Sequence, residues 1–264
     1  MQELISLPRL EALMDAAWPA PDRHDTGEWV LRAAGSVTQR ANSIWPRSEP
    51  DGTPHDRLAW LRDARAWYRS RRLPVIFQVF DNARSDALNA VLDQEGFTRQ
   101  SETLILVCGA GGDTPVPDPD VELSAGPTDE WLRLWWSVDG RGDENSLATA
   151  RGILEGCQSL YALVRDDAGR PAAVGRLAVP AGGAAGWGGL YCMATRPDAR
   201  RRGHANRVLR SLLAAGAAQG LDGYWLLVTA ANSGARELYA RAGFQEAGRY
   251  VYRQERPKRH LTGC

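Results

Sequence analysis

The chain has 264 residues, of which 44% are hydrophobic and 24% charged, as is typical of a soluble globular protein. Its 32 Lys and Arg residues balance 32 Asp and Glu residues, which argues against nucleic acid or an acidic membrane as a partner. The cysteines, Cys108, Cys157, Cys192 and Cys264, form no C-x-x-C pair and no metal-ligand spacing with histidine, which argues against disulfides and a metal site.

The N-terminal segment, residues 1–18, is predicted to be an amphipathic helix rather than a signal peptide. It lacks the basic start and the long apolar core that a signal peptide has. No apolar run in the sequence approaches the roughly 20 residues that cross a bilayer. We therefore expect a cytoplasmic protein with no membrane partner.

The first half is predicted to fold as a hairpin followed by alternating helices and strands. The hairpin pairs residues 29–32 with residues 38–43 around Gly35. After it come a helix at 57–71, a strand at 75–79, a helix at 85–94 and a strand at 102–107.

Gly and Pro dominate residues 109–119, where the apolar periodicity stops. This break predicts two domains, residues 1–110 and 120–264, joined by a linker at 111–119.

The second half is predicted to alternate strands and helices. Its elements are, in order, strand 121–123, helices 128–137 and 146–155, strands 160–165, 172–179 and 187–195 with turns at 166–170 and 182–183, helix 204–219, strand 224–229, helix 233–241 and strand 248–254. Three antiparallel strands followed by helix, strand, helix and strand indicate a mixed sheet flanked by helices, an α/β (α+β) fold.

Each half ends with the same order of elements. A strand, a short helix, a Gly-Phe pair and a further strand occur in the first half and again in the second, with the pairs Gly96-Phe97 and Gly243-Phe244. We interpret this order as a diverged tandem duplication. Coincidence is the alternative, because glycine is a common helix terminator.

The strongest chemical signal is the run RRRGHA at residues 200–205, which follows a predicted strand and begins a predicted helix. Free N–H groups and the helix dipole at a helix start bind anions, a glycine lets the ligand approach, and arginines add charge-assisted bonds to phosphate. The run is neither a Walker A loop nor a Rossmann fingerprint, because it lacks Gly-Lys-Ser/Thr and G-x-G-x-x-G. Taken alone, it is equally well explained as a surface arginine cluster.

Residues 190–205, LYCMATRPDARRRGHA, resemble the acyl-CoA-binding motif of the GNAT acetyltransferase family, an apolar strand and Pro followed by R/Q-x-x-G-x-G/A. Residues 228–244, VTAANSGARELYARAGF, resemble the second motif of that family. The resemblance covers about residues 121–254. It implies two GNAT-like mixed sheets flanked by helices, of which the C-terminal one is complete, and an acyltransferase that uses acetyl-CoA.

The resemblance also implies roles for individual residues. Backbone groups of Met193, Ala194 and Thr195 are expected to bind the pantetheine arm of acetyl-CoA. The pyrophosphate is expected at the loop and the residues that follow it: Arg200, Arg201, Arg202, Gly203, His204, Ala205 and Asn206. Asn232 is expected near the pantetheine, and Tyr239 near the sulfur, where it protonates the leaving thiolate as general acid. The alternatives are core packing for Met193 and Tyr239 and a helix N-cap for Asn232.

The general base stays open. Many relatives in the family use a carboxylate on the central strand, but residues 186–195 contain no Asp or Glu. The candidate acceptor-site acids are Asp139, Asp143 and Glu144, which would attract a cationic amine or relay its proton. A solvated acidic loop with helix N-caps is the alternative.

The first half resembles a GNAT domain with a damaged loop. Residues 49–54, EPDGTP, stand where the second half has RRRGHA, and acids and prolines are unsuited to binding phosphate. We therefore expect this half to bind no CoA. Arg32, Arg40 and Asn42 are candidates to reach the acceptor, and the alternative is a scaffold that covers a sheet edge.

The sequence thus predicts an acetyl-CoA-dependent N-acetyltransferase that acts on a primary amine of a small-molecule or amino-acid-like acceptor, by direct transfer in a ternary complex. A non-catalytic acyl-CoA-binding sensor is the first alternative. A nucleic-acid patch at residues 200–210 is the second, and the balanced charge disfavours it. Two fused GNAT-like halves are expected to form a monomer.

Overall fold

The computed structural model describes residues 4–48, 54–82, 85–111, 116–181 and 186–256. The helices in these ranges are α1 (Leu7–Ala17), α2 (Pro54–Ser70), α3 (Asp86–Gln94), α4 (Asp129–Asp139), α5 (Glu144–Glu155), α6 (His204–Ala218) and α7 (Ser233–Arg241). The strands are β1 (Asp22–Asp25), β2 (Trp29–Ala33), β3 (Ile44–Pro46), β4 (Ile76–Phe80), β5 (Thr98–Gly109), β6 (Val121–Ser124), β7 (Ser159–Arg165), β8 (Pro171–Ala178), β9 (Trp187–Thr195), β10 (Gly223–Thr229) and β11 (Gln245–Gln254). The predicted turn at 182–183 lies outside the described residues. None of the helices in the described ranges is long and apolar enough to cross a membrane.

The described residues form two compact units. The larger unit comprises residues from 1–19 and 104–247, and the smaller unit comprises residues from 20–103 and 248–264. These units differ from the predicted sequential domains 1–110 and 120–264, because the N-terminal helix packs with the second half of the chain. The carbonyl oxygen of Ala17, the last residue of α1, accepts a hydrogen bond of 3.0 Å from Arg176 of β8.

The larger unit is built on the strand order β5-β10-β9-β8-β7-β6. The pairs β6–β7, β7–β8 and β8–β9 are antiparallel, whereas β9 and β10 are parallel. Helix α6 buries a stripe that includes Val208 and Leu212 against sheet residues such as Leu177 and Leu190. The predicted strands at 160–165, 172–179 and 187–195 and the helix that follows them are therefore confirmed.

The smaller unit is built on the strand order β1-β2-β3-β4-β11. Strands β3 and β4 are parallel, and the other neighbours are antiparallel. Its core is rich in aromatic and aliphatic side chains, among them Trp29, Tyr68, Phe77 and Phe97. The α/β class with mixed strand directions is confirmed. The prediction of two separate sheets is not confirmed, because β5 and β11 each run from one unit into the other.

The predicted hairpin strand at 38–43 is wrong. Residues 34–43 form a loop instead, and β2 pairs with the later strand β3. The Asn42 side chain holds this loop: its Oδ1 accepts hydrogen bonds from the N–H groups of Ala34 and Ser36, and its Nδ2 donates to the carbonyl oxygens of Val37 and Thr38. A side chain that satisfies four backbone groups competes with a strand ladder, which explains the difference.

The repeated ends of the two halves have the same local geometry. Helices α3 and α7 both end before a left-handed glycine, Gly96 with φ 75° and Gly243 with φ 86°. In each case the N–H of the following phenylalanine donates back into the helix, to the carbonyl of Leu92 at 2.9 Å or of Tyr239 at 3.1 Å. This correspondence supports the duplication, and it places Leu92 where the second half has Tyr239.

Candidate active site

Parallel strands β9 and β10 separate toward their carboxyl ends. Their paired positions run from Trp187 opposite Gly223 to Leu190 opposite Leu226, although the strands continue to Thr195 and Thr229. On the side of β10, the backbone of Met193, Ala194 and Thr195 therefore extends past the paired region, whereas on the other side Ala194 and Thr195 pair with β8. Unpaired strand backbone of this kind offers hydrogen-bonding groups to an extended ligand.

A β-bulge lies at the point of separation. The pairing of β8 with β9 shifts between Val174 and Arg176, and Cys192 has a left-handed φ of 55°. Gly175 makes the bulge fit, because a Cβ at this glycine would lie 2.5 Å from the Met193 sulfur. The half-buried Met193 side chain packs against the hydrophobic core, and its backbone stays a candidate to bind a ligand.

The arginine-rich loop begins α6 with free backbone donors. Arg201 and Gly203 have left-handed φ values of 63° and 84°. Within the described part of the chain, the N–H groups of residues 201–205 have no backbone acceptor. Asn206 differs from the prediction, because its N–H donates to the Gly203 carbonyl at 3.0 Å inside the helix. Consecutive free N–H groups at a helix start form an anion site.

Two arginines near this loop already have partners. The Nε of Arg200 donates to the Thr195 carbonyl at 3.3 Å. Arg207, one turn into α6, forms ion pairs with Asp118 at 2.6 Å and Asp120 at 3.0 Å, and its hydrogen bond holds the pKa of Asp118 below the usual range. Arg201 and Arg202 are exposed, so they remain the side-chain cations for an anion at the loop.

The second motif places Asn232 and Tyr239 at opposite ends of α7. Asn232 is the N-cap of the helix, since its Oδ1 accepts a hydrogen bond of 3.1 Å from the Ala235 N–H. Tyr239 is 7% exposed and packs edge-on against Phe244, with ring centroids 6.0 Å apart. Burial, with a smaller contribution from the charge of Asp139, raises the pKa of Tyr239 to about 12.

The structure separates the candidate acids. Asp143 caps α5, where its Oδ1 accepts hydrogen bonds from the Ser146 N–H at 3.0 Å and the Ser146 hydroxyl at 2.9 Å, and these bonds lower its pKa. Glu144 is exposed in the first turn of the same helix. Asp139 ends α4, and it is the acid whose charge acts on Tyr239. Asp143 therefore matches the N-cap alternative, and Asp139 is the acid placed near the proposed general acid.

A small cavity lies beside β3 and β4 in the smaller unit. The space between Pro46 and Ser48 after β3 and Gln78 and Phe80 of β4 is only about 10 Å³, about the size of one water molecule. Residues 49–53 of the damaged loop lie outside the described residues. The absence of CoA binding by this half stays a prediction.

Structural contacts already engage two of the candidates from the first half. Arg32 is 2% exposed, and it donates to the Ser43 carbonyl at 3.0 Å and to the Gln78 side chain at 2.7 Å. Asn42 is committed to its own loop, and Arg40 is half-buried. Asn42 therefore serves the fold of the smaller unit rather than a ligand.

Arg176 is a residue of this region that sequence reasoning missed. It is fully buried beside the bulge and donates at 3.0 Å to Ala17 and Leu154, carbonyls at the ends of α1 and α5. The rings of Trp18 and Tyr191 lie 5.7 and 5.8 Å from its guanidinium carbon. Helix C-termini are negative, so they stabilise this buried charge. The signal in the sequence was a lone arginine inside an apolar strand.

Comparisons with known proteins identify the family of the chain. The family described as "Probable histone acetyltransferase Rv0428c C-terminal" matches residues 6–253. The protein named "Uncharacterized N-acetyltransferase YobR" of Bacillus subtilis is 25% identical over 256 residues, which cover 94% of this chain and 98% of that protein. Both matches extend through the smaller unit as well as the larger one.

Two solved structures share the fold. A GCN5-related N-acetyltransferase from Kribbella flavida superposes with a TM-score of 0.69 at 18% identity, covering 96% of each chain. A tandem GNAT protein from the clavulanic acid biosynthesis pathway superposes with a TM-score of 0.63 at 13% identity, covering 94% of this chain and 88% of that one. At these identities the likeness concerns the fold.

Proposed function

The chain belongs to the Rv0428c C-terminal acetyltransferase family of GNAT acyltransferases, and we propose that it transfers an acetyl group from acetyl-CoA to a primary amine. The acceptor is a small molecule or resembles an amino acid, and transfer is direct, in a ternary complex. One observation carries this proposal: the gap between β9 and β10 and the free N–H groups of residues 201–205 both lie at the carboxyl end of β9.

The residues at this edge fit acetyl-CoA. Space is open where a Cβ of Gly203 would stand, so a phosphate can approach the loop closely. The N–H groups of residues 201–205 and the side chains of Arg201 and Arg202 supply donors and positive charge for a pyrophosphate. The backbone of residues 193–195 supplies strand-like hydrogen bonds for a pantetheine arm. Bound acetyl-CoA would supply the acetyl group as an activated thioester.

Tyr239 acts on the sulfur side of the reaction. Its hydroxyl is the proton donor to the departing thiolate. A phenol whose pKa is raised to about 12 stays protonated at neutral pH, so no second group needs to protonate it before transfer. The ring packing against Phe244 fixes its direction.

Asp139 acts on the amine side. An ammonium ion must lose a proton before its nitrogen can attack a thioester, and β9 carries no carboxylate to receive that proton. The exposed carboxylate of Asp139 attracts an ammonium ion and accepts its proton. The hydrogen bonds of Asp143 to Ser146 favour Asp139 over Asp143 for this role.

The missing carboxylate on β9 also favours a second candidate, an acyl-CoA-binding sensor without turnover. Calorimetric titration of acetyl-CoA, followed by a panel of primary amines with a free-thiol assay, tests both functions. Binding with turnover that Tyr239→Phe abolishes supports the transferase. Binding without turnover across the panel supports the sensor, and no binding to the folded protein would refute both.

A further inference from the structure

A cavity of about 270 Å³ lies in the larger unit, at the end of the sheet where β7 begins. The register places Ser159 of β7 opposite Ala178 of β8, and Ala178 opposite Gly189 of β9. Gly189 precedes Thr195 by six residues, which is about 20 Å of strand. The cavity is therefore separate from the gap between β9 and β10.

The lining of the cavity divides into an apolar wall and a polar rim. The wall consists of Ala125, Pro127, Leu160 and Val179. The rim carries Glu155, Gln158 and Gln219, and of the described residues that line the cavity only Glu155 is charged. At ~30 Å³ for each water molecule, the volume equals that of roughly nine waters, so a ligand of about ten non-hydrogen atoms fits. An apolar wall with a few polar groups at one side is the usual construction of a small-molecule site.

The rim has a negative potential from two sources. Glu155 is the last residue of α5, and Gln219 directly follows the last residue of α6, so both helices end at the rim. The C-terminus of a helix carries a partial negative charge. The exposed carboxylate of Glu155 adds a full charge to these two helix ends.

The two arginines near the cavity are held by other partners. Arg151 lies 3.9 Å from Glu155, and its closer ion pair is with Asp129. Arg176 is fully buried behind Ser159, whose hydroxyl accepts a hydrogen bond of 3.0 Å from the Arg176 Nε. Its other nitrogens donate to the carbonyls at the ends of α1 and α5, which compensate its charge. A ligand at the rim therefore meets the Glu155 carboxylate rather than a guanidinium group.

We infer that this cavity binds a small organic cation, an ammonium group attached to an apolar body of about ten non-hydrogen atoms or fewer. The apolar body packs against the wall, and the ammonium group donates to the Glu155 carboxylate. The inference does not rest on the proposed function, because the cavity lies apart from the acetyl-CoA site. The competing explanation is a surface cavity that holds only water.

Benzylamine is the probe, because it joins a phenyl ring to an ammonium group, and benzyl alcohol is its uncharged counterpart. Amide chemical shifts of the full chain, measured by NMR during titration, give the position and the Kd of each compound. Glu155→Gln removes the charge and keeps the shape. Asp129→Asn is the matched control, because Asp129 also pairs with Arg151 but does not line the cavity. Ala125→Phe adds a ring at an exposed position of the wall and fills the cavity.

Millimolar benzylamine should shift the amide signals of residues 155–161 and Gln219. Glu155→Gln should raise its Kd about three- to tenfold, as expected for a charge-assisted bond at a partly exposed site. Asp129→Asn should match the wild type, and Ala125→Phe should abolish these shifts. Equal Kd values for benzylamine and benzyl alcohol, or for the wild type and Glu155→Gln, would overturn the assignment of a cation. Absence of shifts at the cavity, or shifts confined to the surroundings of Asp139, would overturn the site itself.

Discussion

Replacing Gly203 with aspartate directly tests the proposed anion-binding loop, residues 200–205. The residue has a left-handed φ of 84°, and nothing lies within 4 Å of the position of an added Cβ. An aspartate therefore fits sterically and places a carboxylate beside the free N–H groups. Gly203→Asn is the matched control, because Asn and Asp share shape and both tolerate left-handed backbone better than other residues. The difference between the two variants is then the charge.

The expected loss follows from Coulomb's law. Two unit charges about 5 Å apart repel by ~0.8 kcal/mol in water and ~3 kcal/mol at an effective dielectric constant of ~20. A pyrophosphate carries about two charges, and physiological salt screens part of the repulsion, so Gly203→Asp should lose about 2 to 4 kcal/mol relative to Gly203→Asn. This corresponds to about a 30- to 1,000-fold weaker Kd for acetyl-CoA.

Titration calorimetry at low and high salt is the assay. The gap between the two variants should shrink as salt rises, because the added interaction is electrostatic. The reasoning is refuted if Asp and Asn weaken binding equally, since the loop would then respond to shape alone. It is also refuted if neither variant weakens binding, since the phosphate would then lie elsewhere.

Further predictions concern the reacting groups and the scaffold. Tyr239→Phe should lower kcat by about 10²- to 10⁴-fold with little change in acetyl-CoA affinity. Tyr224→Phe is the control and should only reduce stability. The pKa of Tyr224 is also raised to about 12, and its hydroxyl donates to the Leu213 carbonyl. Because the pKa of Tyr239 is raised, the hydroxyl keeps its proton as pH rises. We therefore expect no fall in kcat from about pH 8 to 10, the range in which a free phenol of pKa ~10 titrates. A decline in kcat that Tyr239→Phe abolishes would contradict this. Asp139→Asn should raise the KM for a cationic amine, whereas Asp143→Asn should lower the thermal midpoint and leave the KM unchanged. Asn42→Ala should destabilise the smaller unit by about 2 to 4 kcal/mol in chemical unfolding, because it orphans several backbone groups.

The geometry of residues 200–205 was predictable because it is local. The free donors, the left-handed glycine and the exposed arginines all lie within residues 200–205, so their spacing in sequence equals their spacing in space. Strands β7 to β9 and helix α6 were predictable for the same reason, since the apolar period of each element lies within the element.

Features that depend on distant contacts were not predictable. Helix α1 joins the larger unit through Arg176, which bonds to Ala17 across 159 positions of sequence. Residues 38–43 were predicted as a strand, but Asn42 binds the loop backbone instead. Asp139 and Asp143 are four positions apart and chemically identical. Asp139 ends α4, where its charge acts on Tyr239, whereas Asp143 precedes α5, where it is the N-cap. The sequence alone did not show where each helix ends or begins.

The environment of Tyr239 limits the mechanisms open to the site. A tyrosine whose pKa is raised to about 12 by burial and by the Asp139 charge is protonated at neutral pH, so before transfer it has no free site for the proton of the amine. We therefore assign the acid and base roles to different groups. Asp139 is the carboxylate whose charge is felt at Tyr239, and its exposure lets it meet an acceptor from solvent. The buried environment keeps Tyr239 protonated and the exposed position presents the charge of Asp139 to solvent, which is consistent with the proposed direct transfer to an amine.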